Sequence, residues 1–99
     1  MNILKTETYQ KWFDKLKDQT AKSQIRARLF RLAIDGNFGD VKPVGNNISE
    51  MRIHCGPGYR IYYTVRGFDV VILLMGTAKP TKHQQQEDIK RAKQIAKEV

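Results

Sequence analysis

The repeat of apolar residues changes period part-way along the chain, and that change limits the available folds more than any other feature. Over the first third the spacing is helical. Tyr9, Trp12, Phe13 and Leu16 stand at i, i+3, i+4 and i+7, one face of an amphipathic helix. Thr6 is placed to cap it, with Glu7 in the first turn, where the helix dipole favours a negative charge. Ala21, Ile25, Leu29 and Leu32 line a second helix, which Thr20 would cap and Gly36, free to take φ > 0, would end. From Ile48 the period becomes two. Met51 and Ile53 alternate with Glu50, Arg52 and His54; Tyr59, Ile61, Tyr63 and Val65 alternate with Arg60, Tyr62 and Thr64. A chain that changes period in this way packs helices on a sheet.

Details of the pattern extend this plan. Ile3 and Leu4 can form a short first strand. "NFGDVKPVGNN" reads as a loop from its Gly, Pro and Asn content, and Pro43 argues against a central strand there. "FDVVILLM" is apolar almost throughout, as in a strand covered on both faces. Three strands with short turns make an antiparallel meander. In the first turn Pro57 and Gly58 suit the central positions of a type II turn. Beyond Gly76 the chain becomes polar, then Ile89, Ala92, Ala96 and Val99 recur at helical spacing. The expected order is β-α-α-β-β-β-α, an α+β fold with a mainly antiparallel sheet and the helices packed on one face. One domain spanning residues 1–99 accounts for the whole length.

On that plan Glu50, Arg52, His54, Arg60 and Tyr62 share the uncovered face of two neighbouring strands. The chemistry they could carry is specific. Arginine is permanently charged and grips phosphate oxygens with a fork of donors. Histidine exchanges a proton near neutral pH. Tyrosine stacks on a base or donates a hydrogen bond. Cleavage of RNA by its own 2′-hydroxyl needs a base, cations around the phosphate and a proton for the leaving oxygen, and no metal. Cross-strand ion pairing on a wet face is the competing explanation of the same residues. The chain carries 18 Lys and Arg against 10 Asp and Glu, a formal charge of +8, which attracts polyanions. The basic residues are not gathered on one long amphipathic helix, so no membrane surface is expected.

Other classes find no support. Phosphate-cradling GxxxxGK[ST], GxGxxG and HExxH patterns are absent. One cysteine, Cys55, and two histidines are too few for a structural zinc site, and no cofactor is expected. A lone cysteine fits a reducing, cytoplasmic compartment. No segment approaches the roughly 20 apolar residues that span a bilayer, and the first residues do not look like a signal peptide.

"GNFGDVKPVGNNISEMRIHCGPGYRIYY" resembles the signature of the RelE/ParE superfamily of bacterial toxins, and among them the HigB-like addiction-module killer proteins. The matching residues are Gly36, Asn37, Gly39 and Asp40; Lys42, Val44 and Gly45; then Glu50, Arg52, Ile53, Gly56, Pro57, Gly58, Tyr59, Arg60 and Tyr62. "LLMG" and "DIKRAK" resemble the closing segment. The loop between them departs from the family, and both Lys79 and Lys82 compete for its lysine. The resemblance implies a toxin paired with a cognate antitoxin, a DNA-binding protein in many such pairs, and a toxin–antitoxin hetero-oligomer. It also implies one of two activities: ribosome-dependent cleavage of mRNA, or inhibition of DNA gyrase without nuclease chemistry. An inactive module that only titrates the antitoxin is a third reading. The outward cluster favours the mRNA endoribonuclease. In it His54 transfers the proton, with Glu50 as an alternative. Arg52 and Arg60 bind the scissile phosphate, Lys79 or Lys82 adds charge, and Tyr62 contacts a base or the 2′-hydroxyl. Lys22, Arg26 and Arg31 are candidates for holding ribosomal RNA.

Overall fold

A computed structural model describes residues 1–79 and 81–99 of the chain. The elements run β1 (Asn2–Lys5), α1 (Glu7–Lys15), α2 (Gln19–Asp35), β2 (Val41–Gly45), β3 (Ile48–Ile53), β4 (Tyr59–Arg66), β5 (Val70–Ala78) and α3 (Lys82–Lys97). The strands form one sheet in the order β1-β5-β4-β3-β2. The β2 to β5 pairs are antiparallel, and β1 joins β5 in parallel. The α+β class and the antiparallel meander agree with the sequence reading.

Local chemistry explains where the helices begin and end. Thr6 caps α1 as expected, its hydroxyl accepting from the Tyr9 N–H. The same hydroxyl donates to the Leu74 carbonyl at 2.7 Å, which ties the start of α1 to β5. The α2 cap is Asp18 rather than Thr20: its carboxylate accepts from the Ala21 N–H at 3.1 Å. Two cap-forming residues lie two apart in the sequence, and the charged one takes the helix end. Gly36 closes α2 in the left-handed conformation, φ 67°.

Four further expectations need correction. The loop around Pro43 contains the edge strand β2, where a proline costs no ladder bond on its solvent side. The β3–β4 turn is shifted by one residue. The Cys55 carbonyl accepts from the Gly58 N–H at 2.9 Å, so Gly56 (φ 56°) and Pro57 are its central residues. The third strand continues past Met75 to Ala78. Most consequentially, the helices do not share one face.

The sheet separates two apolar clusters. On one side Tyr9, Ile25 and Leu32 of α1 and α2 pack on Met51, Ile53, Ile61, Tyr63, Val71 and Leu73. On the other, Ala92, Ile89 and Ile95 of α3 pack on Ile48, Tyr62, Ile72, Leu74 and Met75. β5 supplies both clusters, with Val71 and Leu73 to one side and Ile72 and Leu74 to the other. A register shift at Tyr62/Tyr63 lets Tyr62 pair with Met75 and Tyr63 with Leu73, leaving Leu74 as an extra residue that bends β5 locally.

Gly76 is where α1 meets this strand. A methyl group on its Cα would lie 2.3 Å from the Trp12 ring carbons. Gly76→Ala should therefore push the indole off β5. The expected cost is about 2 kcal/mol of unfolding free energy, read by urea titration followed through tryptophan fluorescence; an unchanged midpoint would mean that Trp12 is not seated on the strand.

Candidate nucleic-acid cleavage site

The polar residues of β3 and β4 start from an electrostatic problem. Arg52 and Arg60 are direct cross-strand partners, and like charges in that register repel. Each is drawn to its own carboxylate. Arg52 donates through Nε and Nη2 to Asp40 Oδ1, at 3.2 and 2.8 Å. Arg60 donates through Nη1 to both Glu50 oxygens, at 3.1 and 3.0 Å. The two guanidiniums are held by carboxylates from different segments of the chain.

Asp40 has a second partner, for its Oδ2 lies 2.5 Å from His54 Nε2. These two contacts, the one to His54 foremost, hold the Asp40 carboxyl below its usual range. An ionised carboxylate only accepts, so His54 Nε2 is the donor in this contact and Nδ1 is the ring nitrogen that Asp40 does not engage.

Asp40 reaches this position through the segment before it. Asn37 Oδ1 accepts from the Gly39 N–H at 3.0 Å. Arg28 of α2 donates to the carbonyls of Arg52 (2.7 Å), Phe38 (2.9 Å) and Asp40 (3.3 Å). Gly39, at φ 71°, lies against that guanidinium, and a Cβ there would be 2.7 Å from it.

α3 divides the residues expected on an open face. Glu50 and Tyr62 are buried beneath it, and the Arg60 side chain is 15% exposed. Gln85 of α3 donates to Glu50 Oε2 at 3.0 Å, and Gln84 donates to Asp88 Oδ1 at 3.0 Å. Burial, then the neighbouring Glu50 and Asp88 carboxylates, push the Tyr62 hydroxyl up to about 12. Tyr62 is therefore not placed to stack on a base. Arg52 and His54, beyond the end of α3, stay open, at 35% and 76% side-chain exposure.

Arg52, His54, Arg60 and Lys79 line one shallow cleft of about 150 Å³, with Gly58 and Tyr59 at its wall. The Lys79 main chain is held there, its N–H donating to the Gly58 carbonyl at 2.8 Å. Lys82 lies elsewhere, in a groove between α3 and β2 that it shares with Lys42 and Gln85. Of the proposed phosphate-backbone contacts, Lys22 and Arg26 stack on the Phe13 ring at 5.1 and 5.2 Å. Arg31 lines a depression with Arg28 and Asp40, beside the cleft. No cluster able to hold a metal ion occurs among the described residues, and no helix is long and apolar enough to cross a membrane.

Comparison with known proteins places this architecture. The family described as Phage derived protein Gp49-like matches residues 11–97. The chain belongs to that family. A relative from Haemophilus influenzae, described as an uncharacterized protein, is 46% identical over 99 residues, covering 100% of this chain and 96% of the relative. Among solved structures the Gp49-like chain is similar to the isolated E. coli RelE toxin, with TM-score 0.66, 21% identity, and 91% and 96% of the two chains covered. The intact E. coli RelBE toxin–antitoxin complex gives TM-score 0.66 and 20% identity over 81% of this chain and 98% of that one. The fold is that of RelE, in agreement with the superfamily resemblance read from the sequence.

Asp40 belongs to the signature shared with the toxin superfamily, but the sequence alone assigns it no role. The signal that could have found it is the run Gly36-Asn37-x-Gly39-Asp40: two backbone positions of positive φ ending in a carboxylate. Because its carboxyl is held low in the folded chain, Asp40 adds stability above the ordinary carboxylate range. That stability is lost as pH falls below about 4. The melting temperature of the native chain should drop more steeply in that interval than that of Asp40→Asn; parallel curves would show that Asp40 is not coupled to His54 and Arg52.

Proposed function

We propose that this Gp49-like chain is the toxin of a toxin–antitoxin pair and cuts mRNA on the ribosome without a metal. The observation that carries the reading is the cleft in which Arg52, Arg60 and Lys79 stand around His54. In the reaction His54 Nδ1 takes the proton of a 2′-hydroxyl. The 2′-oxygen bonds to the adjacent phosphorus, the bond from phosphorus to the 5′-oxygen breaks, that oxygen takes a proton from solvent water, and the His54 imidazolium returns its proton to solvent. The products are a 2′,3′-cyclic phosphate and a 5′-hydroxyl. Arg52, Arg60 and Lys79 stabilise the extra negative charge on the phosphorane, which forms only in the transition state. Asp40 fixes the imidazole tautomer and supports the positive charge it acquires.

The cleft takes a single phosphate, so recognition of the ribosome falls to the wider surface. Lys22, Arg26 and Arg31 on α2 supply phosphate contacts there, and activity should fall steeply with salt. A +8 chain calls for a neutralising partner with carboxylates to offer. The similarity to a RelE solved within a toxin–antitoxin complex supports an antitoxin in that role.

Cleavage of mRNA on programmed ribosomes tests the reading, with DNA supercoiling by gyrase as the parallel assay. Arg52→Ala should remove most cleavage at a stability cost within about 1 kcal/mol. His54→Ala should reduce cleavage roughly 100-fold or more. Arg60→Ala would leave Glu50 buried without its cation, at about 3 kcal/mol. Arg60→Lys, which keeps a positive charge beside Glu50, is the cleaner variant and should still lose most activity with the fork. Normal cleavage by both Arg52→Ala and Arg60→Lys would remove the cleft from the mechanism, and gyrase inhibition without cleavage would replace it.

A further inference from the structure

α2 presents apolar side chains on two opposite faces. Ala21, Ile25 and Leu32 point into the core. Ala27, Phe30 and Ile34 stand at i, i+3 and i+7 on the opposite face, in line with Ser23 one turn earlier, all exposed. Phe30 is 67% exposed and Ile34 66%. Single exposed apolar residues are ordinary, but a large pair aligned along a helix is the pattern of a contact surface. Arg26 flanks the stripe on one side and Arg31 on the other, both exposed.

We infer that the outer face of α2 is the docking surface for an acidic amphipathic helix of the partner that neutralises this protein. The inference rests on the toxin reading for the partner's identity. Helix-on-helix contact needs apolar residues at this spacing on one side and their match on the other. Arginines along both borders call for carboxylates flanking the apolar stripe of the incoming helix. A second copy of this chain is a poor occupant, because each carries +8 and would bring like borders together. RNA would pair with the arginines but leave the aliphatic Ile34 and Ala27 without a partner. The surface holds Arg26 and Arg31, so a helix lying on it also masks two residues proposed to hold ribosomal RNA. Neutralisation then works by excluding the ribosome, with no contact to the cleft required.

The test is Phe30→Ser/Ile34→Ser, two exposed positions whose replacement should leave the melting temperature unchanged. The probe is the purified protein encoded by the gene adjacent to this one, titrated by calorimetry against both forms of the full chain. The double variant should bind it at least about 30-fold more weakly, and its induced growth arrest should persist when that gene is co-expressed. Equal affinity for both forms would overturn the inference, as would failure of the native chain to bind the probe. Weaker co-sedimentation with ribosomes at unchanged probe affinity would also overturn it and assign the stripe to RNA. A native dimer dissociated by the double substitution would assign it to self-association. Absence of growth arrest by the native chain would count against the toxin reading alone, since the titration measures docking without it.

Discussion

The Arg28 guanidinium gathers three carbonyl oxygens, from Phe38, Asp40 and Arg52. These belong to the segment leaving α2 and to the end of β3, which are also joined by the Arg52 N–H donating to the Asp40 carbonyl at 3.0 Å. A rigid fork with several donors suits such a junction, where a lysine could not satisfy separated acceptors at fixed angles. Its first consequence is the path of residues 37–40. Gly39 must lie flat on the guanidinium because there is no room for a side chain. Its second is the position of Asp40, whose carboxylate arrives between Arg52 and His54. A helix residue outside the cleft lining thus sets the geometry of the cleft through main-chain atoms.

The opposite side of the site depends on α3. Glu50 is buried, and a buried carboxylate is tolerated only when paired and hydrogen-bonded. Arg60 and Gln85 supply three contacts between them. α3 is thus held to the sheet at its N-terminal half by polar contacts and farther along by Ile89, Ala92 and Ile95. Both arginines are positioned by carboxylates, one from a loop and one from a strand interior. Only Arg52 keeps substantial exposure.

Much of this was legible in the sequence. The period change marked both helices and the meander, and Thr6 was recognisable as a cap because a short hydroxyl residue stood directly before the apolar repeat. The misplacement of α3 has an instructive cause. Glu50, Arg60 and Tyr62 alternate with core residues, and alternation ordinarily means one dry face and one wet face. Here the charges neutralise one another and the dry region continues past them. The contrary signal was present in β5, whose unbroken apolar run requires cover on both sides and leaves α3 as the only helix free to supply it. Cross-strand ion pairing is one of the two readings of Glu50, Arg52 and Arg60, and Arg60 and Glu50 do pair; which arginine takes Glu50, that the pair is buried, and the extra residue at Leu74 are not visible in a linear pattern. Asp18 and Thr20 are both acceptable caps two residues apart, and the apolar repeat that begins at Ala21 fits a helix start at either, so the spacing alone does not separate them.

The carboxylates in the cleft bear directly on how it could act. Arg52, Arg60 and Lys79 would form a stronger anion trap if Asp40 and Glu50 were absent. On the proposed reading, an incoming phosphate would compete for Arg52, which already spends two donors on Asp40. Weakened ground-state attraction is compatible with fast chemistry, because only interactions that strengthen in the transition state lower the barrier. A phosphorane carries more negative charge than a phosphodiester, so it draws more from the remaining guanidinium donors. The carboxylates keep the side chains in place beforehand, which removes the cost of ordering two long, flexible residues at the moment of reaction. Asp40 has one more effect that Glu50 does not, since its contact to His54 links the orientation of the imidazole to that of Arg52. Anything that moved the Arg52 fork off Oδ1 of Asp40 would therefore also disturb the carboxylate that holds the His54 ring through Oδ2.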